Sequence, residues 1–417
     1  MNKLFDLASP RRQSQLQFVA STFLVASLFA VPLSESFKAI CLGLALFCMV
    51  LTTSSRRDLG ALLVKPWCQA TILLFAVVLL SCFWSPATLH QKTAVVNKYS
   101  KCLLLPFLVV GFRDPKVRRF GLYAYLLAMF ITCVMSMLKA SGTLDFNGED
   151  PGKVVHNHIM TGFMMSFAAY LSAWLTIRQK GIERILMTIL FLLFTYQLFF
   201  INTGRTGYLI DAILMFLLML QFLSWRWVVM GGMLGLVLLG GIYHQSNTMK
   251  QAVKMAVDDL KGYREGDLNT SLGYRLQFHT FSKELFLRHP WIGNGSGSYT
   301  YYFRKEDPVP AWQVPPLVSV PKKMVEPHSQ YWLVAAETGI LGLTALFVFF
   351  GSLLYAGLQL PVMRSVAIAL ILSFMVGNLS DSLLYYSGTG TFFLLFMAMC
   401  LGEGRSLPDR HRFHGNL

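Results

Sequence analysis

The chain has 417 residues, 54% of them hydrophobic and only 14% charged, with a mean hydropathy of +0.51. That leaves too little polar surface to clothe a soluble globule, so the composition excludes a water-soluble enzyme and points to a membrane protein. The formal net charge of +15 comes with no basic stripe interleaved with aromatics, which argues against nucleic acid and for anionic lipid head groups as its counterpart.

Apolar runs of about 17–25 residues can cross a bilayer as helices. About twelve such segments follow along the chain, centred on residues 16–32, 37–52, 68–84, 99–112, 119–139, 158–177, 184–201, 206–223, 227–243, 329–357, 364–383 and 389–402. The first follows Arg11 and Arg12 like the core of a signal peptide, but it lacks an A-x-A cleavage site and reads as a membrane helix. The fourth is interrupted by Pro106. Of the 36 Lys and Arg residues, 18 fall in the short segments on one side, 7 on the other, and 11 between His244 and Pro327. By the positive-inside rule both termini are cytoplasmic and the long loop lies outside. The seven cysteines sit in or beside apolar runs without a C-x-x-C pair, and read as small buried hydrophobes.

No repeat or linker marks a second domain, so residues 1–417 form one membrane domain with a soluble insertion, 244–327, between the ninth and tenth spans. Within it, 248–265 reads as a polar helix. Ser271 is placed to cap a second helix over 272–288, in which Tyr274, Phe278, Phe281 and Leu285 recur on one apolar face. The Gly- and Pro-rich stretch from Pro290 to Pro327 reads as turns and irregular loop. The expected architecture is an all-α polytopic membrane protein with a large helical outer loop.

Where that loop re-enters the membrane stands His328, preceded by Pro327, which can open the following helix. A first-turn histidine at head-group depth, with Tyr331 and Trp332 below it, fits an interfacial anchor as well as a proton acceptor. Nine residues on, roughly 13 Å deeper along a helix, Glu337 is a carboxylate that must be functional or paired. It faces away from His328, which suits it to holding a neighbouring helix, with Gly339 and Gly342 allowing that neighbour close approach. Arg205, in Asn202-Thr203-Gly204-Arg205-Thr206-Gly207, either snorkels to the outer interface or, with bare glycine backbone beside it, receives a phosphate. Arg275 and His279, one turn apart, are a solvated pair or the second half of a diphosphate site. Lys98 and Lys101 are head-group anchors or further positive charge near a diphosphate, and Asp381 is solvated or binds sugar hydroxyls. His156-Asn157-His158 spreads its rings to different sides of a helix, unlike a metal site, and Gly293-Asn294-Gly295-Ser296-Gly297 reads as a sharp turn. No Walker loop, D-x-D or H-E-x-x-H is present.

In these residues the chain resembles the bacterial O-antigen ligases, whose superfamily also holds O-antigen polymerases and pilin oligosaccharyltransferases. The ligase pattern of His, Asn/Ser/Gln, nine residues and G-x-x-G is met by His328, Ser329, the stretch from Gln330 to Thr338, and Gly339 to Gly342. The outer-loop pattern of an early helical Arg followed by H-P-x-x-G-x-G is met by Arg275 and His289 to Gly295, and the short Arg turn by Gly204-Arg205-Thr206. The resemblance implies a GT-C-like glycosyltransferase of the bacterial inner membrane, active at its periplasmic face without a metal or other cofactor. It would move O-antigen from undecaprenyl diphosphate to lipid A–core oligosaccharide with inversion. On that scheme His328 is the general base and Arg205 and Arg275 clamp the diphosphate, with Lys98, Lys101, Tyr274 and Asp381 as further substrate contacts. A polymerase or pilin oligosaccharyltransferase shares the donor. A lipid-linked-sugar flippase is the reading of another class; it fits less well, since no inverted repeat is evident and the candidate site lies at the interface.

Overall fold

A computed structural model describes residues 9–144, 150–309 and 326–404. Lys3, Arg405, Arg410 and Arg412 of the charge count, and 310–325 of the expected outer loop, lie outside the described residues. Every regular element among those described is helical: α1 (Pro10–Ala30), α2 (Glu35–Leu51), α3 (Thr53–Leu63), α4 (Pro66–Leu80), α5 (Leu89–Ser100), α6 (Leu105–Gly111), α7 (Pro115–Ala140), α8 (His158–Arg178), α9 (Gly181–Phe200), α10 (Arg205–Phe222), α11 (Trp225–Gln245), α12 (Asn247–Arg264), α13 (Ser271–Arg288), α14 (Ser298–Glu306), α15 (Gln330–Leu358), α16 (Arg364–Ser380) and α17 (Ser387–Leu401).

Each apolar segment of the sequence falls on one of these helices, the fourth on α5 and α6 joined through a 3-10 turn just before Pro106. Among the described residues eight helical stretches are long and apolar enough to cross a membrane, or nine if α2 and α3, bent by 95°, count as one span. The protein is therefore a multi-pass helical membrane protein. At 17 and 15 residues, α16 and α17 are short for a bilayer. For α17 burial explains the short length: Gly388 through Leu401 are all buried, so protein rather than lipid surrounds it. Phe392 and Phe396 interlock there with Tyr125 and Phe167 at ring separations of 4.7–5.6 Å, edge-on or tilted as aromatic quadrupoles favour. At the other extreme, α11 buries only Val228.

The inserted segments α12, α13 and α14 gather at the end of the bundle where α15 begins. The sequence expectation of a polar helix over 248–265 is met by α12, and the cap of α13 is Thr270, one residue before the expected Ser271, its hydroxyl accepting from the Gly273 N–H at 3.0 Å. Phe278, Phe281 and Leu285 are buried, as their spacing predicts. The stretch after Pro290 is more ordered than its composition suggests, because it contains α14.

That order comes from α15. At Gly339 its backbone turns to φ 63°, ψ −156°, a conformation essentially confined to glycine. The break leaves backbone groups unpaired inside the protein, and the 290–297 turn takes them up. Ile340 and Leu341 donate to the Pro290 and Trp291 carbonyls at 2.8 and 3.1 Å, while Asn294 and Gly295 donate to Ala336 and Glu337 carbonyls at 3.1 and 2.7 Å. Glu337 holds a neighbouring helix, as expected: its carboxylate accepts from the Gly297 N–H at 3.0 Å and from that of Tyr299, at the N-terminus of α14. Of the two glycines only Gly339 admits a neighbour, since a Cβ there would lie 2.6 Å from the Pro290 oxygen. Gly342 instead makes room for the Thr338 side chain on its own helix.

Candidate active site

His328 does not sit in the first turn of α15. Ser329 caps that helix, and His328 precedes it with φ 52°, a left-handed conformation that costs a non-glycine residue about 1–3 kcal/mol. Glu326 helps to hold it there: its Oε2 accepts the His328 N–H at 2.8 Å and the Ser382 hydroxyl at 2.5 Å. The His328 Nδ1 lies 3.2 Å from Glu326 Oε1 and 3.3 Å from Asp381 Oδ1, and the Tyr386 hydroxyl lies 2.6 and 2.7 Å from the same two oxygens. Both carboxylates are buried, at 3% and 1% exposure, whereas the imidazole keeps 31% of its side-chain surface. Two carboxylates around Nδ1 require a proton on that nitrogen, so in the neutral ring the lone pair is on Nε2. Among the described residues Nε2 has no hydrogen-bond partner.

The turn 381–386 that supplies Asp381 and Tyr386 is tied on several sides. Gln330 accepts from the Tyr385 N–H at 3.1 Å and donates to the Tyr99 hydroxyl at 2.7 Å, Asn378 accepts from Leu383 at 3.0 Å, and Thr389 donates to the Leu383 carbonyl at 2.5 Å. Burial disfavours a charged His328. The hydrogen bond to Asp381 and the charges of Glu326 and Asp381 outweigh it and raise the imidazole above its ordinary value, with Arg275 opposing. Burial and the same two carboxylates keep the Tyr386 phenol protonated. The arrangement is a base whose conjugate acid is stabilised before any substrate arrives.

Along α13 the other expected residues follow one another by turns. Phe278 packs its ring 6.1 Å from that of His328. His279 hydrogen-bonds to the backbone of His328 and Pro327, with its Nε2 buried and unpartnered among the described residues; burial first, then Arg275 and His328, pushes it below its ordinary value, which favours the neutral ring. Arg275, one turn earlier, is half-buried, acts electrostatically on both histidines, and has no ion-pair partner among the described residues. Tyr274 beside it stacks on Phe278.

Arg205 is the exception. It opens α10, and its Nη1 is paired with Asp259 of α12 at 2.9 Å. It shares a cavity of about 340 Å³ with Asp258, Asp259, Asp267, Thr270 and Ser271, an environment of one cation and three carboxylates. The cavity abuts the first turn of α13, so Arg205 and Arg275 approach the same helix end without touching His328. The glycines flanking Arg205 are not bare: a Cβ on Gly204 would lie 2.9 Å from the His158 oxygen, and one on Gly207 3.2 Å from Gly162. They let α10 pack on α8 and expose no backbone to a phosphate.

Other expectations are corrected by packing. Asp381 is neither solvated nor free for sugar hydroxyls, because it is buried in the His328 network. Lys101 donates to the Tyr385 and Tyr386 carbonyls at 3.3 and 2.6 Å, holding the turn rather than a head group, and Lys98 lies over the Tyr385 ring at 5.7 Å. His156 and His158 go separate ways, to the Val31 oxygen and to Asp150, each at 2.9 Å. One donor set among the described residues has the spacing of a cation site: Glu326, His328 and Asp381, whose ligating atoms lie within 4.8 Å of one another. The sequence reading did not single out Glu326, Tyr386 or Asp259. Only Glu326 carried a signal, a carboxylate two residues before the histidine.

A model of the O-antigen ligase family matches residues 186–348, from the first turns of α9 to the middle of α15. Over that segment, which contains Arg205, Arg275, Glu326 and His328, the chain is similar to the O-antigen ligase family. Asp381 and Tyr386 lie beyond it. No curated protein matches the chain.

Proposed function

We propose that this protein is an O-antigen ligase of the bacterial inner membrane, transferring glycan from undecaprenyl diphosphate to lipid A–core at the periplasmic face, with His328 as general base. The observation that carries the reading is the ring of Glu326, Asp381 and Tyr386 around His328 Nδ1, which leaves Nε2 free as the acceptor atom. The acceptor hydroxyl oxygen bonds to the anomeric carbon of the donor sugar as the carbon–oxygen bond to the diphosphate breaks. Undecaprenyl diphosphate departs with that electron pair on the opposite face, which inverts the anomeric centre. The hydroxyl proton passes to Nε2, and the buried carboxylates stabilise the imidazolium. Such proton transfer is worth roughly 10²–10⁴ in rate.

Arg275, without an ion-pair partner among the described residues, meets the leaving diphosphate first. Arg205 joins it after exchanging Asp259 for phosphate oxygens. The exchange is feasible because α12 is lightly held: Ala252 is its only buried residue, and Ser246 and Thr248 tether its first turn to the Phe199 and Phe200 carbonyls. Guanidinium groups supply the countercharge, so no metal is needed.

Purified protein, undecaprenyl-diphosphate glycan and lipid A–core test the reading together. Lipid A–core bearing the glycan is expected, at an unchanged rate in chelator. Lengthened donor glycan would assign a polymerase, and loss in chelator restored by a divalent cation would make Glu326, His328 and Asp381 its ligands.

A further inference from the structure

At the end of the bundle away from His328, a cavity of about 670 Å³ opens between the start of α4 and the ends of α6, α15 and α17. Trp67, Val109, Tyr355 and Leu360 give it apolar walls, while among the described residues Lys65 and Arg113 stand in its lining and no carboxylate does. Arg113 is paired with Asp58, whereas Lys65 is exposed and without an ion-pair partner among the described residues. Lys65 is also the N-cap of α4; Pro66 has no N–H and the Cys68 N–H already donates to the Lys65 carbonyl at 2.9 Å, so this helix end adds its dipole to the Lys65 charge rather than a row of free amides. The frame is fixed by Arg118, which donates to the Phe112, Arg113 and Gly402 carbonyls at 2.9, 2.7 and 3.2 Å and so ties the end of α6 to that of α17.

We propose that this cavity binds one glycerophospholipid with an anionic head group. Its phosphate would sit by Lys65, the N-terminal end of α4 and Arg113, and an acyl chain would run along Trp67, Val109 and Tyr355. A soluble anion would not need those walls, and a neutral apolar molecule would not need those cations. The rim itself is built for lipid: Leu63, Val64 and Tyr355 are 46%, 71% and 62% exposed. Cationic pockets between membrane helices bind anionic head groups in this way, at about a fivefold preference for each cation engaged. The inference does not depend on the reaction performed at the other end.

Native mass spectrometry of the full-length protein, released from bilayers holding equal phosphatidylglycerol and phosphatidylcholine, tests it. The wild type should retain phosphatidylglycerol over phosphatidylcholine by about fivefold or more. Lys65→Glu should bring the ratio near one, Lys65→Arg should keep it, and Ala356→Trp, which fills the cavity, should reduce retention of either lipid. An equal ratio in the wild type, an unchanged ratio in Lys65→Glu, or displacement of the lipid by millimolar inorganic phosphate would overturn the proposal.

Discussion

His328 and Arg205 belong to one proposed reaction, yet the protein holds them in opposite ways. His328 is fixed through its backbone N–H, its ring and its neighbours, in a left-handed conformation that a free chain would leave. Arg205 is held by one ion pair to a helix with a single buried residue. A partly exposed pair of that kind is worth at most about 1 kcal/mol, so a diphosphate can break it. On the proposed reading the base is preformed, while the anion clamp is closed by its own helix until a stronger anion arrives.

The contrast predicts unequal costs. The largest belongs to His328→Ala, which should lower transfer by on the order of 10²–10⁴ while the protein remains folded in the membrane. A single-turnover assay on reconstituted protein measures it, and wild-type turnover would remove His328 from the chemistry. The smallest belongs to Asp259→Asn. Freeing Arg205 should strengthen donor binding a few-fold, on the order of the partly exposed pair it breaks, and leave kcat nearly unchanged. Weaker donor binding in a titration with lipid-linked diphosphate would show that Asp259 positions Arg205 rather than occupies it.

Much of the fold was legible in the sequence because apolar length is a local property: each of the twelve runs is helical. The number that cross a membrane was less so, since α17 owes its short length to being encased by other helices, which no local pattern reports. Glu337 was readable as a helix-holding carboxylate from depth alone. The break at Gly339 was not, because a G-x-x-G pair gives no sign that a turn 42 to 49 residues earlier will fill it. At the candidate site, His328 and Arg275 were singled out by type and place, and the structure sets Arg275 within electrostatic reach of His328. Asp381 was found but misread, because its partners Tyr386 and His328 come from two different helix ends. Asp259 was invisible, since an aspartate on a polar helix looks solvated until Arg205 is seen against it.

The central claim is that Asp381 and Glu326 hold His328 ready as a base. With its folded value raised, His328 stabilises the protein while charged, at pH below its unfolded value, and that contribution is lost as pH rises through the folded value. Over the same upper range the ring becomes neutral and able to accept a proton, so transfer should rise with pH along an acid limb above the ordinary imidazole range. The decisive measurement is the pH profile of kcat/KM for the wild type and Asp381→Asn. The account predicts a slower variant whose acid limb lies at lower pH, because one of the groups that raise His328 is gone. An acid limb at the same pH in both would contradict it.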